Sequence, residues 1–187
     1  MSNSKELLED IELTWETADC LYTERQLEQS ISRMAEAICR DLVARNPVAL
    51  CVMNGGLVTA GQLLPKLPFN MQLDFIHASR YREGTTGNDV EWRVRPHHKL
   101  KGRCILIIDD ILDEGVTLKE IKRYCEAAEA EEVKIAVLVK KRHRHRVVDI
   151  EADYVAVEVP DRYVFGYGMD YKGYLRNMPG IYAVKGL

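Results

Sequence analysis

Residues 104–117 read CILIIDDILDEGVT, and the fold is decided there. The run from Cys104 to Ile108 is apolar at every position, so both faces of the strand it forms must be covered, as in the centre of a parallel sheet. The run ends in two adjacent carboxylates, Asp109 and Asp110, at the carboxyl end of the strand, where open α/β sheets hold their ligands. Three residues on, Asp113, Glu114, Gly115, Val116 and Thr117 form the turn into a helix over about 117–130, with Gly115 permitting close backbone approach and Thr117 at the cap. The amides of a helix N-terminus and the positive end of its dipole suit a phosphate without requiring a lysine. An Asp that merely caps the helix accounts for one acid, but not for three acids and a Gly-x-Thr turn behind a buried strand.

Outward from this unit the same alternation repeats. Thr23 and Gln26 have capping-box spacing, and Leu27, Ile31, Met34, Ile38 and Leu42 recur at helical intervals, which predicts an amphipathic helix over 24–45, stopped by Asn46 and Pro47. VALCVM at 48–53, closed by Asn54, Gly55 and Gly56 and followed by a helical stretch to Lys66, is a second strand, turn and helix. Further strands fit 71–77 and 133–139. Apolar strands alternating with helices make the class α/β, a parallel sheet flanked by helices with right-handed crossovers. The polar segment RYREGTTGNDVEW at 80–92 is long enough for a functional loop. From Tyr154 the pattern turns to short strands and turns, with six of the nine tyrosines between 154 and 182, which predicts a small hood over the sheet edge.

The 187 residues contain no repeat, low-complexity tract or linker, so a single domain over 1–187 is expected, its core about 20–150 and its hood built from the N-terminal segment and about 154–187. A net charge of -3, from 26 basic and 29 acidic residues, argues against a general nucleic-acid binder. With 47% hydrophobic and 29% charged residues the chain is too apolar for disorder and too interrupted by charge for a membrane span. MSNSKELLEDIELTWE lacks the basic start and apolar core of a signal peptide, which makes the cytoplasm the expected location. The five widely spaced cysteines contain no CxxC pair and read as reduced packing residues.

The 104–117 pattern resembles the signature of the type I phosphoribosyltransferases: an apolar strand, two acids, two apolar residues, then Asp-x-Gly-x-Thr. Over roughly residues 20–180 the chain is similar to the hypoxanthine-guanine phosphoribosyltransferases of that family. VMNGG at 52–56 resembles their pyrophosphate loop, and Ser79, Arg80 and Tyr81 the start of their mobile lid. LVK ending at Lys140 resembles their base-reading strand, and VPDRYVFGYGMDY at 159–171 with Arg176 resembles their hood, all in the family's order.

The resemblance implies that a 6-oxopurine displaces pyrophosphate from 5-phosphoribosyl-1-pyrophosphate (PRPP), with Mg²⁺, giving IMP from hypoxanthine or GMP from guanine. Asp109 and Asp110 are then expected to accept from the ribose hydroxyls, and Glu114, Gly115, Val116 and Thr117 to cradle the 5'-phosphate. Asn54, Gly55 and Arg176 are expected on the pyrophosphate, and Asp113 as proton acceptor from the purine. Asp170 and Asp109 are the expected Mg²⁺ ligands, and Arg80 and Tyr81 the lid. The base falls to Lys140, Tyr163, Val164 and Asp170, with Lys140 donating to the purine O6 and the adjacent Lys141 taking its place if the strand register differs by one. The family forms homodimers or homotetramers. Three departures stand out: Asn54 replaces a common cation, Glu114 puts a carboxylate near a phosphate, and the basic run KKRHRHR at 140–146 is about two residues longer than expected. That run, with His143 and His145, also admits readings as a solvated loop, a metal pair or an RNA-binding patch. The alternative function is an RNA-binding regulator that senses nucleotides, which needs the phosphate cradle but no proton acceptor.

Overall fold

The computed structural model describes residues 2–80, 90–143 and 148–186. The chain begins with helix α1 (Ser2–Thr17), strand β1 (Asp19–Thr23) and helix α2 (Glu24–Leu42), followed by β2 (Val48–Val52) and α3 (Gly56–Leu63). Strands β3 (Gln72–Arg80) and β4 (Val90–Val94) precede β5 (Cys104–Leu112), α4 (Val116–Ala127) and β6 (Glu132–Arg142). Strands β7 (Tyr154–Pro160), β8 (Val164–Phe165) and β9 (Gly180–Ala183) complete it.

Six strands form the main sheet in the order β4-β3-β2-β5-β6-β7. β3, β2, β5, β6 and β7 pair in parallel, and β4 closes one edge antiparallel to β3. Side-chain alternation explains the layers. Ala49 and Cys51 of β2 and Cys104, Leu106 and Ile108 of β5 face one core with α2 and α3. Val48, Leu50 and Val52, with Ile105 and Ile107, face the other, where α4 supplies Leu118, Ile121 and Cys125. α2 follows the sequence pattern closely: the Thr23 amide donates to Gln26 Oε1 at 2.9 Å, and Leu27, Ile31, Met34, Ile38 and Leu42 are all buried. Each such side chain is worth about 1.5–3 kcal/mol of transfer free energy.

A separate antiparallel sheet, β1-β9-β8, forms the hood, and α1 packs on it through Ile11, next to Phe165 and Val184. The structure moves two boundaries. Tyr154–Pro160, expected in the hood, is the edge strand of the main sheet, in parallel register with β6 from Ala136↔Tyr154 to Arg142↔Pro160. β4 also takes residues 90–92 out of the expected 80–92 loop, since Arg80 pairs with Val90 and Ala78 with Trp92. The parallel strands bring the loops after β2 and β5 and the end of β6 to one edge of the sheet, beneath the hood.

Candidate active site

β5 carries Asp109 and Asp110 at its carboxyl end, with relative exposures of 7% and 9%. The Asp110 amide donates to Asp109 Oδ1 at 2.8 Å. Burial pushes both carboxyls above the ordinary carboxylate range, strongly for Asp109, where the neighbouring Asp110 charge adds to it; Arg176 acts against the rise in both. Two acids held this way favour ligands that donate hydrogen bonds or carry positive charge.

Gly115 leaves the strand at φ 84° and caps α4, and a Cβ at this position would lie 2.5 Å from Ile150 Cγ2. Thr117, expected at the cap, therefore sits inside the first turn: Gly takes the cap because the turn needs a left-handed residue against the 148–150 segment. Glu114, Gly115, Val116 and Thr117 line a cavity of about 410 Å³ together with Asp109 and Asp110. Asn54 and Gly55 line its far wall. Glycine is required there, since a Cβ on Gly55 would fall 1.9 Å from Asp110 Oδ2.

The hood closes the same cavity with Asp170 and Arg176. Arg176 Nη1 donates to the Gly168 carbonyl at 2.6 Å, and its Nη2 meets Asp170 Oδ1 at 2.6 Å. Asp170 Oδ2 accepts from the Gly173 amide at 2.8 Å. The guanidinium is thus held in place from the hood side while still facing the two buried acids electrostatically.

A second cavity of about 220 Å³ adjoins the first, bounded by Asp113, Lys141, Tyr163, Val164 and Met169. Val164 is buried, and Tyr163, 40% exposed, stands edge-on to Tyr171 with ring centroids 5.5 Å apart. Lys140 is not in this group. Its Nζ lies 2.5 Å from Glu151, on the outside, whereas Lys141 Nζ sits 3.0 Å from Asp113 Oδ2 with its side chain 12% exposed. Consecutive strand residues point to opposite sides, and β6 runs on to Arg142, so the inward position is one residue later than expected.

Asp113 lines both cavities, as Asp110, Ile111 and Asp170 do. The other oxygen of Asp113, Oδ1, is 2.6 Å from His143 Nε2, and His143 Nδ1 is 3.1 Å from Asp161 Oδ2. His143 and Asp161 were not expected near the site. The i, i+2 spacing of Lys141, near the end of β6, and His143, just past it, is the signal that places both on one side. Of the basic run, each described residue meets a carboxylate: Lys140 Glu151, Lys141 and His143 Asp113, Arg142 Glu158. That pairing disfavours an RNA-binding surface there. Of the two lid residues, Arg80 ends β3, and Tyr81 lies outside the described residues, as does His145.

Comparison with known proteins agrees with this geometry. The phosphoribosyl transferase domain model matches residues 17–172. A hypoxanthine-guanine phosphoribosyltransferase of Streptococcus pneumoniae is 32% identical over 166 residues, covering 88% of this chain and 92% of the relative. A crystal structure of a hypoxanthine phosphoribosyltransferase from Staphylococcus aureus superposes with a TM-score of 0.84 at 29% identity, over 89% of this chain and 91% of that one. The enzyme from Trypanosoma cruzi, solved in complex with the product IMP, gives 0.83 at 27% identity, over 91% and 95%. A domain model that matches most of the chain and a relative 32% identical over 88% of it show the family: the chain belongs to the phosphoribosyl transferase domain family, among the hypoxanthine-guanine phosphoribosyltransferases.

Proposed function

We propose that this protein is a purine salvage enzyme that transfers the 5-phosphoribosyl group of PRPP to N9 of hypoxanthine or guanine, releasing pyrophosphate and giving IMP or GMP. The observation that carries the reading is the position of Asp113, on the shared wall of the phosphate-side and base-side cavities. The amides after Gly115 and the Thr117 hydroxyl hold the 5'-phosphate, with the dipole of α4 behind them. Asp109 and Asp110 take the ribose hydroxyls, whose O–H donors satisfy acids that burial has pushed toward protonation. Arg176 and the amides at Asn54 and Gly55 bind the pyrophosphate. Tyr163 and Val164 form the hood side of the base site, and Lys141 donates to the O6 that hypoxanthine and guanine share and adenine lacks. Asp113 accepts the proton that leaves the purine as its nitrogen bonds to C1'.

A divalent cation fits the acids on the phosphate side: Asp109, buried next to a second carboxylate, and Asp170, already fixed by Arg176, would hold Mg²⁺, which neutralises diphosphate charge when bound. Among the described residues no helix is long and apolar enough to cross a membrane. Assembly into a homodimer or homotetramer is supported by Leu73 and Phe75, alternate residues of β3 that are 56% and 48% exposed.

The test is pyrophosphate release with PRPP, Mg²⁺ and each of hypoxanthine, guanine, xanthine and adenine. Turnover with the first two and little with adenine is expected. Equal turnover with adenine removes the base assignment, and no turnover with any base removes the enzyme.

A further inference from the structure

We infer that His143 is a positioning residue for Asp113, gripping one carboxylate oxygen so that the other is presented to the purine; this rests on the reading of Asp113 as the proton acceptor. The loop after β5 has no regular structure to fix the Asp113 side chain, which is 42% exposed. Left alone, such a carboxylate rotates about its terminal torsion and offers either oxygen in many directions. Here each oxygen has its own partner. Oδ1 is held by His143 Nε2 at 2.6 Å, and Oδ2 by Lys141 Nζ at 3.0 Å.

The two partners differ in kind. Lys141 is a flexible ammonium on the wall of the base-side cavity, and a purine O6 competes for it, which frees Oδ2 to take the proton. His143 is anchored at its far side: Nδ1 lies 3.1 Å from Asp161 Oδ2, and only 12% of the side chain is exposed. A ring with a carboxylate at each nitrogen has its plane and position fixed by both. The fold supplies the arrangement, because β6 continues past Lys141 and the segment after β7 brings Asp161 alongside. Ligand atoms of Asp113, His143 and Asp161 all lie within 4.8 Å of one another, close enough for an ion. The two carboxylates nevertheless meet opposite nitrogens of the ring, a hydrogen bond on the Asp113 side and an ion-pair contact on the Asp161 side, with Asp161, 56% exposed, at the solvent end.

The experiment is a double-mutant cycle on kcat and KM. His143→Ala should lower kcat by about 10- to 100-fold, the scale of misplacing a reacting group, with KM for PRPP within about twofold. His143→Gln, which keeps an N–H donor, should restore most of the loss. Placed on Asp113→Asn, His143→Ala should change kcat by less than about twofold, because a residue that acts only through Asp113 has nothing left to position. Asp161→Ala, at an exposed side chain, repeats the cycle should His143→Ala fail to fold, with a smaller loss that also vanishes in the Asp113→Asn background. Equal losses in both backgrounds, or no loss in the parent enzyme, would overturn the inference. If Asp113→Asn alone leaves kcat unchanged, it is the reading of Asp113 that fails, and the role of His143 falls with it.

Discussion

Replacing Lys141 by Ala removes an ammonium whose side chain is 12% exposed, 3.0 Å from Asp113 Oδ2 and 4.0 Å from Asp161 Oδ1. Those two acids are 42% and 56% exposed, so water screens the pairs and their loss should cost the fold less than about 1 kcal/mol. For a chain of this size that is a drop in Tm of roughly 2–4 °C at most. The base pays more. A purine O6 left without its charged donor loses about 1.5–3 kcal/mol, or roughly 10- to 150-fold in affinity. Initial rates at saturating PRPP, with hypoxanthine varied, should therefore show KM for the base raised by that factor and KM for PRPP little changed. The preference over adenine should shrink, because the contact that adenine cannot make is gone. Lys140→Ala is the control. Its ammonium meets Glu151, 64% exposed, so KM should stay within about twofold. If Lys140→Ala raises KM for hypoxanthine while Lys141→Ala does not, the assignment of the inward residue is wrong.

Three further outcomes follow from the packing. Gly55→Ala puts a methyl 1.9 Å from Asp110 Oδ2, so PRPP binding, read by calorimetry, should weaken at least about tenfold while circular dichroism stays unchanged. Asp74 is pushed up by burial, but amides of His98, Phe75 and His97 and the His98 ring outweigh it and hold its carboxyl below the ordinary value. Its contribution is thus present above the ordinary carboxylate value and lost as pH falls through the depressed one; Asp74→Ala, which strands those amides, should cost about 2–4 kcal/mol in urea unfolding at neutral pH, and less in acid. Asp109 has the opposite sign: its raised carboxyl contributes stability at low pH that is lost as pH rises through the folded value, so Asp109→Asn should raise Tm at neutral pH in metal-free buffer, by an amount that shrinks in acid, while abolishing turnover.

The sequence was most legible where local chemistry and global position coincide. The 104–108 run could only be a central strand, and the glycine, acids and threonine behind it fix the turn without any distant partner. The α2 helix was equally readable because Thr23 and Gln26 satisfy each other and the apolar stripe is regular. What failed depended on partners. Tyr154–Pro160 mixes buried and more exposed residues, and only its parallel register with β6 separates it from the hood. Val90–Val94 is a mostly exposed strand whose pairing with β3 lies across the intervening segment. Lys140 and Lys141 are chemically identical, and which one faces inward depends on the strand's twist and length. His143 looked solvated because charge dominates its neighbours, while burial against Asp113 and Asp161 is a tertiary fact.

The central claim, that a carboxylate on the wall between phosphate and base takes the proton of the purine, is tested most directly by single-turnover kinetics of Asp113→Asn. Asparagine keeps the size and one acceptor of the side chain but is not a base. With enzyme in excess over hypoxanthine and PRPP saturating, the rate of IMP formation should fall by roughly 10²- to 10⁴-fold, while PRPP binding stays within about twofold of the parent. A single-turnover rate that matches the parent would contradict the account.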